Sequence, residues 1–146
     1  MISVKRIMDA NFNRTREGLR VLEDLVRFVL NDKSQTAKLK ILRHDVSQLL
    51  HHASIRSLHL IESRNSRRDV GKKSLINDRR QIHWQDLAVA NFKRVEESLR
   101  VLEECSKILA PVLTSHIQSL RFQAYELEKR IIKKFQTLRH HRSQRS

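Results

Sequence analysis

The stretch ANFNRTREGLRVLED, residues 10–24, returns eighty positions later as ANFKRVEESLRVLEE, residues 90–104. A segment and its near-copy need similar surroundings, so the chain is expected to fold as two similar halves. Within each copy the apolar residues recur at the 3.6-residue period of a helix. Four helical segments follow from that period: about Val4 to Leu30, Gln35 to near Leu60, Trp84 to just before Pro111, and Val112 into the C-terminal tail. Ser34 is the expected N-cap of the second. The second carries the apolar stripe Leu39, Leu42, Val46, Leu49, Leu50 and Ala53, the fourth Leu113, Ile117, Leu120, Ala124, Leu127 and Ile131. LeuArg at 42–43 in the second segment is matched by LeuArg at 120–121 in the fourth.

The expected fold is therefore all-α: a bundle of four main helices built from two repeated helical hairpins, about 4–60 and 84–138, related by pseudo-two-fold symmetry. Only 2 Gly and 1 Pro in 146 residues leave few turn-formers, which agrees with long helices. A single domain is expected over 1–138, with the hairpins joined by a basic loop at 61–83 and a basic disordered tail at 139–146. The loop ESRNSRRDVGKKSLINDRRQIH has no period and contains Gly71, one of the two glycines. An ordered loop of that length is often functional.

On a wheel of about 100° per residue, Phe12, Leu19, Leu22, Leu25, Val26 and Val29 cover one broad side of the first segment. Asn11, Arg14 and Gly18 fall within it, Glu17 on its border, and Arg16, Arg20, Glu23 and Arg27 opposite. The second copy maps likewise, with Asn91, Arg94 and Ser98 inside, Glu97 on the border, and Arg100 and Glu103 opposite. A charged arginine on a core-facing stripe is costly unless paired or wet, and here it occurs twice. The small residue four positions later lets a backbone or ligand come close. Arg43 and Arg121, at the edges of their stripes, are expected to join the same interior. The expectation is a polar pocket between hairpins containing Asn11, Arg14, Asn91, Arg94, Arg43 and Arg121, with Glu17 and Glu97 at its rim. Two readings stay open: a buried ion-pair network holding register, or an anion site in which guanidinium forks grip phosphate. The repeated Arg20/Glu23 and Arg100/Glu103 pairs call for a partner face, either a homodimer interface or a second face of the bundle.

The formal charge is +14, from 30 Lys+Arg against 16 Asp+Glu, which favours anionic partners. Charge without a recognised motif is a weak signal for nucleic acid, so RNA binding is kept only as an alternative. Cys105 is the single cysteine. It cannot form an internal disulfide, suits a reducing compartment, and is expected to be a buried inert thiol. No apolar run approaches the ~20 residues of a membrane helix, and the N-terminus lacks a signal-peptide core. A soluble cytoplasmic protein is expected. His44, His51, His52 and His59 fall on the polar side of the second segment as solvated surface. Neither a P-loop nor a protein-kinase signature occurs.

DANFNRTREGLRVLEDLVRFVL, LKILRHDV, RRDVG, ANFKRVEESLRVLEE and LRFQAYELEK together resemble the helical domain fused to the N-terminus of many bacterial thiamine-phosphate synthases. That family is proposed as an alternative hydroxymethylpyrimidine-phosphate kinase and also occurs alone. The resemblance covers roughly residues 5–132. It places the family's recurrent polar residues on Asn11, Arg14, Glu17, Arg20, Glu23, Arg43, His44, Asp69, Gly71, Asn91, Arg94, Glu97, Arg100 and Arg121. One departure is Asn65, where the family more often has an acid. What the resemblance implies is a thiamine-biosynthesis protein, a stand-alone small-molecule kinase and not itself a synthase, using ATP and Mg²⁺ on a phosphorylated pyrimidine. Arg14, Arg94, Arg43 and Arg121 would hold phosphates; Glu17, Glu97 or Asp69 would act in catalysis and hold Mg²⁺. The loop with Arg64, Arg68 and Gly71 would close over the site. The alternative is a non-catalytic phosphate-ligand module or a docking module for thiamine-phosphate synthase.

Overall fold

The computed structural model describes residues 1–71 and 83–143, with side chains described as far as residue 138. Among the described residues the structure is all-helical, without strands. Five α-helices run Ile2–Phe28 (α1), Lys33–His51 (α2), Ala53–Arg56 (α3), Trp84–Leu109 (α4) and Thr114–Ser143 (α5). Short 3-10 turns lie at Leu60–Ser63, Ser66–Arg68 and Pro111–Leu113.

Each helix end has a local cause. After α1, Asn31 takes the left-handed conformation, φ 52°, which Asn tolerates better than most residues. The next residue, Asp32, caps α2: its carboxylate accepts from the Gln35 amide at 2.9 Å. The cap is thus Asp32 and not the expected Ser34, because Asp32 stands three residues before the amide that needs an acceptor. The second segment is shorter than its apolar stripe implied. His52 adopts an extended conformation and ends α2; His59, at φ 50°, turns the chain again. At the start of α4 the Asp86 carboxylate accepts from the His83 amide at 3.0 Å, the acidic half of a capping box. Pro111 follows α4, as its missing N–H requires. α5 continues to Ser143, past the boundary expected at 138; residues 144–146 lie outside the described residues.

α1 packs against α2 and α4, α4 against α5, and α2 against α5. Enclosed among them are Met8, Phe12, Leu19, Leu22, Leu39, Leu42, Phe92, Leu99, Leu102, Ile117 and Leu120, each at most 2 % exposed. α1 and α4 meet most closely where Gly18 faces the Asn91 carbonyl and the Val95 side chain. A methyl group there would stand 2.8 Å from Val95 Cγ2 and 3.3 Å from the carbonyl oxygen. The small residue therefore lets two backbones approach. At the same crossing the buried hydroxyls of Thr15 and Ser98 lie 2.7 Å apart, and Thr15 donates to the Asn11 carbonyl at 2.8 Å. One hydrogen-bonded hydroxyl pair across the contact removes the cost of burying either alone.

The end of the core bears on charge. Asp32 bonds Lys134 of α5 as well as capping α2, and the Gln35 amide with Lys134 holds the Asp32 carboxyl below its ordinary range. Among the described residues no helix is long and apolar enough to cross a membrane.

Candidate functional site

Asn11, Arg14, Glu17, Lys93, Arg94, Glu97 and Ser98 line one open groove of about 600 Å³ between α1 and α4. Arg14 and Arg94 thus face the same space, but not inside the core. Both are exposed, as are Glu17 and Glu97. The Arg14 guanidinium donates weakly to Asn11 Oδ1 at 3.4 Å. Arg94 Nη1 stands 4.0 Å from Glu17 Oε2, with the two side chains 56 % and 67 % exposed; such a contact adds little stability. The guanidiniums are therefore loosely held. Asn11 and Asn91 each donate back to their own helix, to the Ile7 and Leu87 carbonyls at 2.8 Å. These bonds stay within each helix; Asn11 lines the groove and accepts from Arg14, whereas Asn91, expected in the pocket, does not line it.

The other two arginines of the expected pocket go elsewhere. Arg43 Nε donates to Glu23 Oε2 at 2.8 Å, joining α2 to α1. Arg121 donates to Glu103 Oε2 through Nε at 2.9 Å and lies 2.8 Å from it through Nη2, joining α5 to α4. It also donates to the Tyr125 hydroxyl at 3.2 Å and lies over the Phe122 and Tyr125 rings. Glu23 and Glu103, expected on the outer side, are 6 % and 3 % exposed. Arg20 and Arg100 approach the same two carboxylates at 3.5 and 3.4 Å. The repeated Arg/Glu pairs are thus explained within the chain, and that face supplies no reason to invoke a second copy.

The physical reason for both corrections is the same. Arg14 is expected within the apolar side and Glu23 opposite it, yet on the wheel each lies about 90° from the centre of the apolar arc, on opposite flanks. Periodicity cannot say which flank a further helix will cover. α2 and α5 cover the Glu23 and Glu103 flank, and the Arg14 and Arg94 flank stays open. A signal was available: an acid repeated in one segment and an arginine repeated in the next imply a pair across each hairpin.

The basic loop adjoins the groove. A second space of about 600 Å³, sharing Asn11, Arg14 and Val101 with the first, is lined also by Arg6, Asp9, Asn13, Arg64, Asn65, Ser66 and Asp69. Arg64 forms a two-pronged pair with Asp9 of α1 at 2.7 and 2.8 Å. Asn65 accepts from the Arg68 amide at 3.4 Å and Asp69 from the Gly71 amide at 2.8 Å. Arg68 and Gly71 are exposed and line neither space; the rest of the loop, 72–82, lies outside the described residues. Asp69 does not line the space that holds Glu17 and Glu97.

Beside the groove, Lys93 is held by Glu96 Oε2 and Glu128 Oε1, both at 3.0 Å. Burial pushes the Glu96 carboxyl up to about 7, helped by its hydrogen bond with Glu128. Among the described residues Glu96 Oε1 is buried without a hydrogen-bond partner, which disfavours a charge on this carboxyl. Cys105 is buried and its thiol is pushed up by desolvation, as expected of an inert thiol. His44, His51, His52 and His59 are exposed.

Among the described residues no three His, Cys, Asp or Glu side chains gather as a metal cage. Mg²⁺ needs no such cage: one or two carboxylates with phosphate oxygens and water suffice, and Glu17 and Glu97, which line one groove, are the carboxylates there that could supply them. The arrangement is thus able to receive an anion between two loosely paired guanidiniums with carboxylates beside it.

The model of the ThiD2 family matches residues 6–130. Among similar proteins are thiamine-phosphate synthases of Rhodopirellula baltica (37 % identical, covering 84 % of this chain and 32 % of that protein), Nostoc punctiforme (35 %, 88 % and 35 %) and Synechococcus sp. CC9311 (38 %, 90 % and 36 %). This chain therefore spans about a third of the length of the curated relatives it matches. No solved structure matches it.

Proposed function

The chain belongs to the ThiD2 family, and from that premise we propose that it serves thiamine biosynthesis by phosphorylating hydroxymethylpyrimidine phosphate in the α1–α4 groove. The terminal phosphoryl group of ATP passes to an oxygen of the substrate phosphate, leaving ADP. Such a transfer asks mainly for positioning and charge neutralisation. The observation that carries this reading is the shared groove: Arg14 and Arg94, from equivalent places in the repeat, stand there with Glu17 and Glu97. The two arginines grip phosphate oxygens; the carboxylates would hold Mg²⁺, which neutralises phosphate charge when bound. Arg43 and Arg121, already bonded to buried carboxylates, set the helices and do not touch substrate.

The same reading takes the molecule as two helical hairpins about a pseudo-two-fold axis, forming a four-helix bundle. It is supported by the α1–α4 crossing at Thr15 and Ser98 and by the matched Glu23–Arg43 and Glu103–Arg121 pairs.

A coupled assay with ATP, Mg²⁺ and hydroxymethylpyrimidine phosphate tests it. Turnover is expected, and Arg14→Ala with Arg94→Ala should abolish it; a pure, folded protein without turnover sinks the kinase reading. A non-catalytic module that docks on thiamine-phosphate synthase is the second reading, favoured by one observation: in the relatives the matched stretch is about a third of a longer synthase. Pyrimidine-phosphate binding in a calorimeter without turnover would select it.

A further inference from the structure

Resting on that reading of the groove, we propose that the ligand site is divided: the α1–α4 space grips phosphates, and the adjoining space walled by Asn65 and Ser66 reads the flat, nitrogen-rich ring. Arg14 belongs to both spaces and marks the junction between ring and phosphate.

The division follows from which side chains line each space. Among the described residues Arg14 meets a neutral amide at 3.4 Å and Arg94 a carboxylate at 4.0 Å in the first space. Either can turn to phosphate oxygens at small cost. In the second space the Arg64 guanidinium is already taken by Asp9 in a two-pronged pair, and Asp69 offsets part of the charge of Arg6 and Arg14 on the same wall. What the second space adds is Asn13, Asn65 and Ser66, neutral donors and acceptors that match ring nitrogens and an amino substituent.

Asymmetry supplies a second, independent reason. Arg14 and Arg94 occupy equivalent places in the repeat, so by themselves they accept a phosphorylated ligand in either of two directions. Among the described residues the wall at 64–69 is clipped to α1 through Asp9, whereas the chain after α4 turns through Pro111–Leu113 directly into α5. A wall on one side selects one direction. The Asp9–Arg64 pair is the positioning element: it clips the wall to α1 from 55 residues away in sequence.

Calorimetric titration of the full chain with two probes, hydroxymethylpyrimidine phosphate and inorganic pyrophosphate, tests the division. Asn65→Ala, at an exposed position whose side chain accepts only a long 3.4 Å bond from the Arg68 amide, should weaken the pyrimidine phosphate by about tenfold more than pyrophosphate, with a helical circular-dichroism spectrum unchanged from the parent. Arg94→Ala should weaken both probes by a similar factor. Asp9→Asn should behave as Asn65→Ala does, and a helical circular-dichroism spectrum unchanged from the parent should accompany it. If Asn65→Ala weakens both probes equally, or neither, while Arg94→Ala weakens both, the division is wrong and the phosphate groove stands. If the parent protein binds neither probe, the groove reading falls and the division with it.

Discussion

Gly18 shows how one residue can be set by what faces it rather than by its own helix. Replacing a helical glycine by alanine ordinarily gains up to ~1 kcal/mol. Here the added methyl would meet Val95 Cγ2 at 2.8 Å, and the Asn91 carbonyl at 3.3 Å has no freedom to move aside. Val95 is fully buried and β-branched, so its side chain is stiff. Overpacking of this kind costs ~1–3 kcal/mol, which outweighs the gain. Gly18→Ala is expected to lower stability by about 1 kcal/mol in urea unfolding. In a Val95→Ala background the same change should become neutral or stabilising; destabilisation of equal size in both backgrounds would place the clash elsewhere. The small residue was legible in the sequence as a point of close approach. Its partner was not, because nothing in residue 18 names residue 95.

The two carboxylate–arginine pairs fasten elements: Glu23–Arg43 joins α1 to α2, and Glu103–Arg121 joins α4 to α5. They occupy matching places but differ in burial. The Arg121 and Glu103 side chains are 9 % and 4 % exposed, those of Arg43 and Glu23 22 % and 8 %. Removing one member of a buried pair leaves the other charge uncompensated and costs ~3–5 kcal/mol. Arg121→Ala should approach that range, and Arg43→Ala should cost about half as much, since water reaches Glu23 more readily. Chemical denaturation of the two variants measures the difference; equal losses would mean that burial does not govern these pairs. The helices themselves were largely readable. α4 begins at Trp84 and ends before Pro111 as the apolar period and the proline imply. The end of α2 was not, because the leucine stripe continues in character beyond His52 while the backbone there turns extended.

At the scale of the whole molecule, stability against pH should carry the mark of Glu96. Its folded-state value is raised to about 7 from the ordinary 4.5, mainly by burial. Between those values the folded protein holds the proton more tightly than the unfolded chain. Stability from this group is therefore greatest at low pH and declines as pH rises from about 4.5 toward 7. Glu128 moves the other way, held ionised by its hydrogen bonds from Glu96 and Lys93, so the pair shares one proton rather than releasing two together. Glu96→Gln keeps the shape and removes the titration. The urea midpoint of the variant should vary less than that of the parent between pH 5 and pH 7.5; identical slopes would show that Glu96 is ordinarily ionised. This carboxyl escaped sequence reasoning because its counterpart in the first copy is Arg16, so no repetition drew attention to it.

By itself the sequence determined that the chain is helical, which apolar residues face inward along each helix, and that Arg14 and Arg94 hold equivalent places beside a small residue. Those properties live within about two turns of chain, where period, capping and side-chain volume decide. Only the tertiary structure decided which polar flank of α1 and α4 is covered. It buried Glu23 and Glu103 against Arg43 and Arg121, left Arg14 and Arg94 open on a groove, and set the Asp9–Arg64 clip beside one of them. The reason is physical: both flanks stand equally far from the apolar arc, and what settles their fate is the position of a neighbouring helix or loop, which no local pattern encodes.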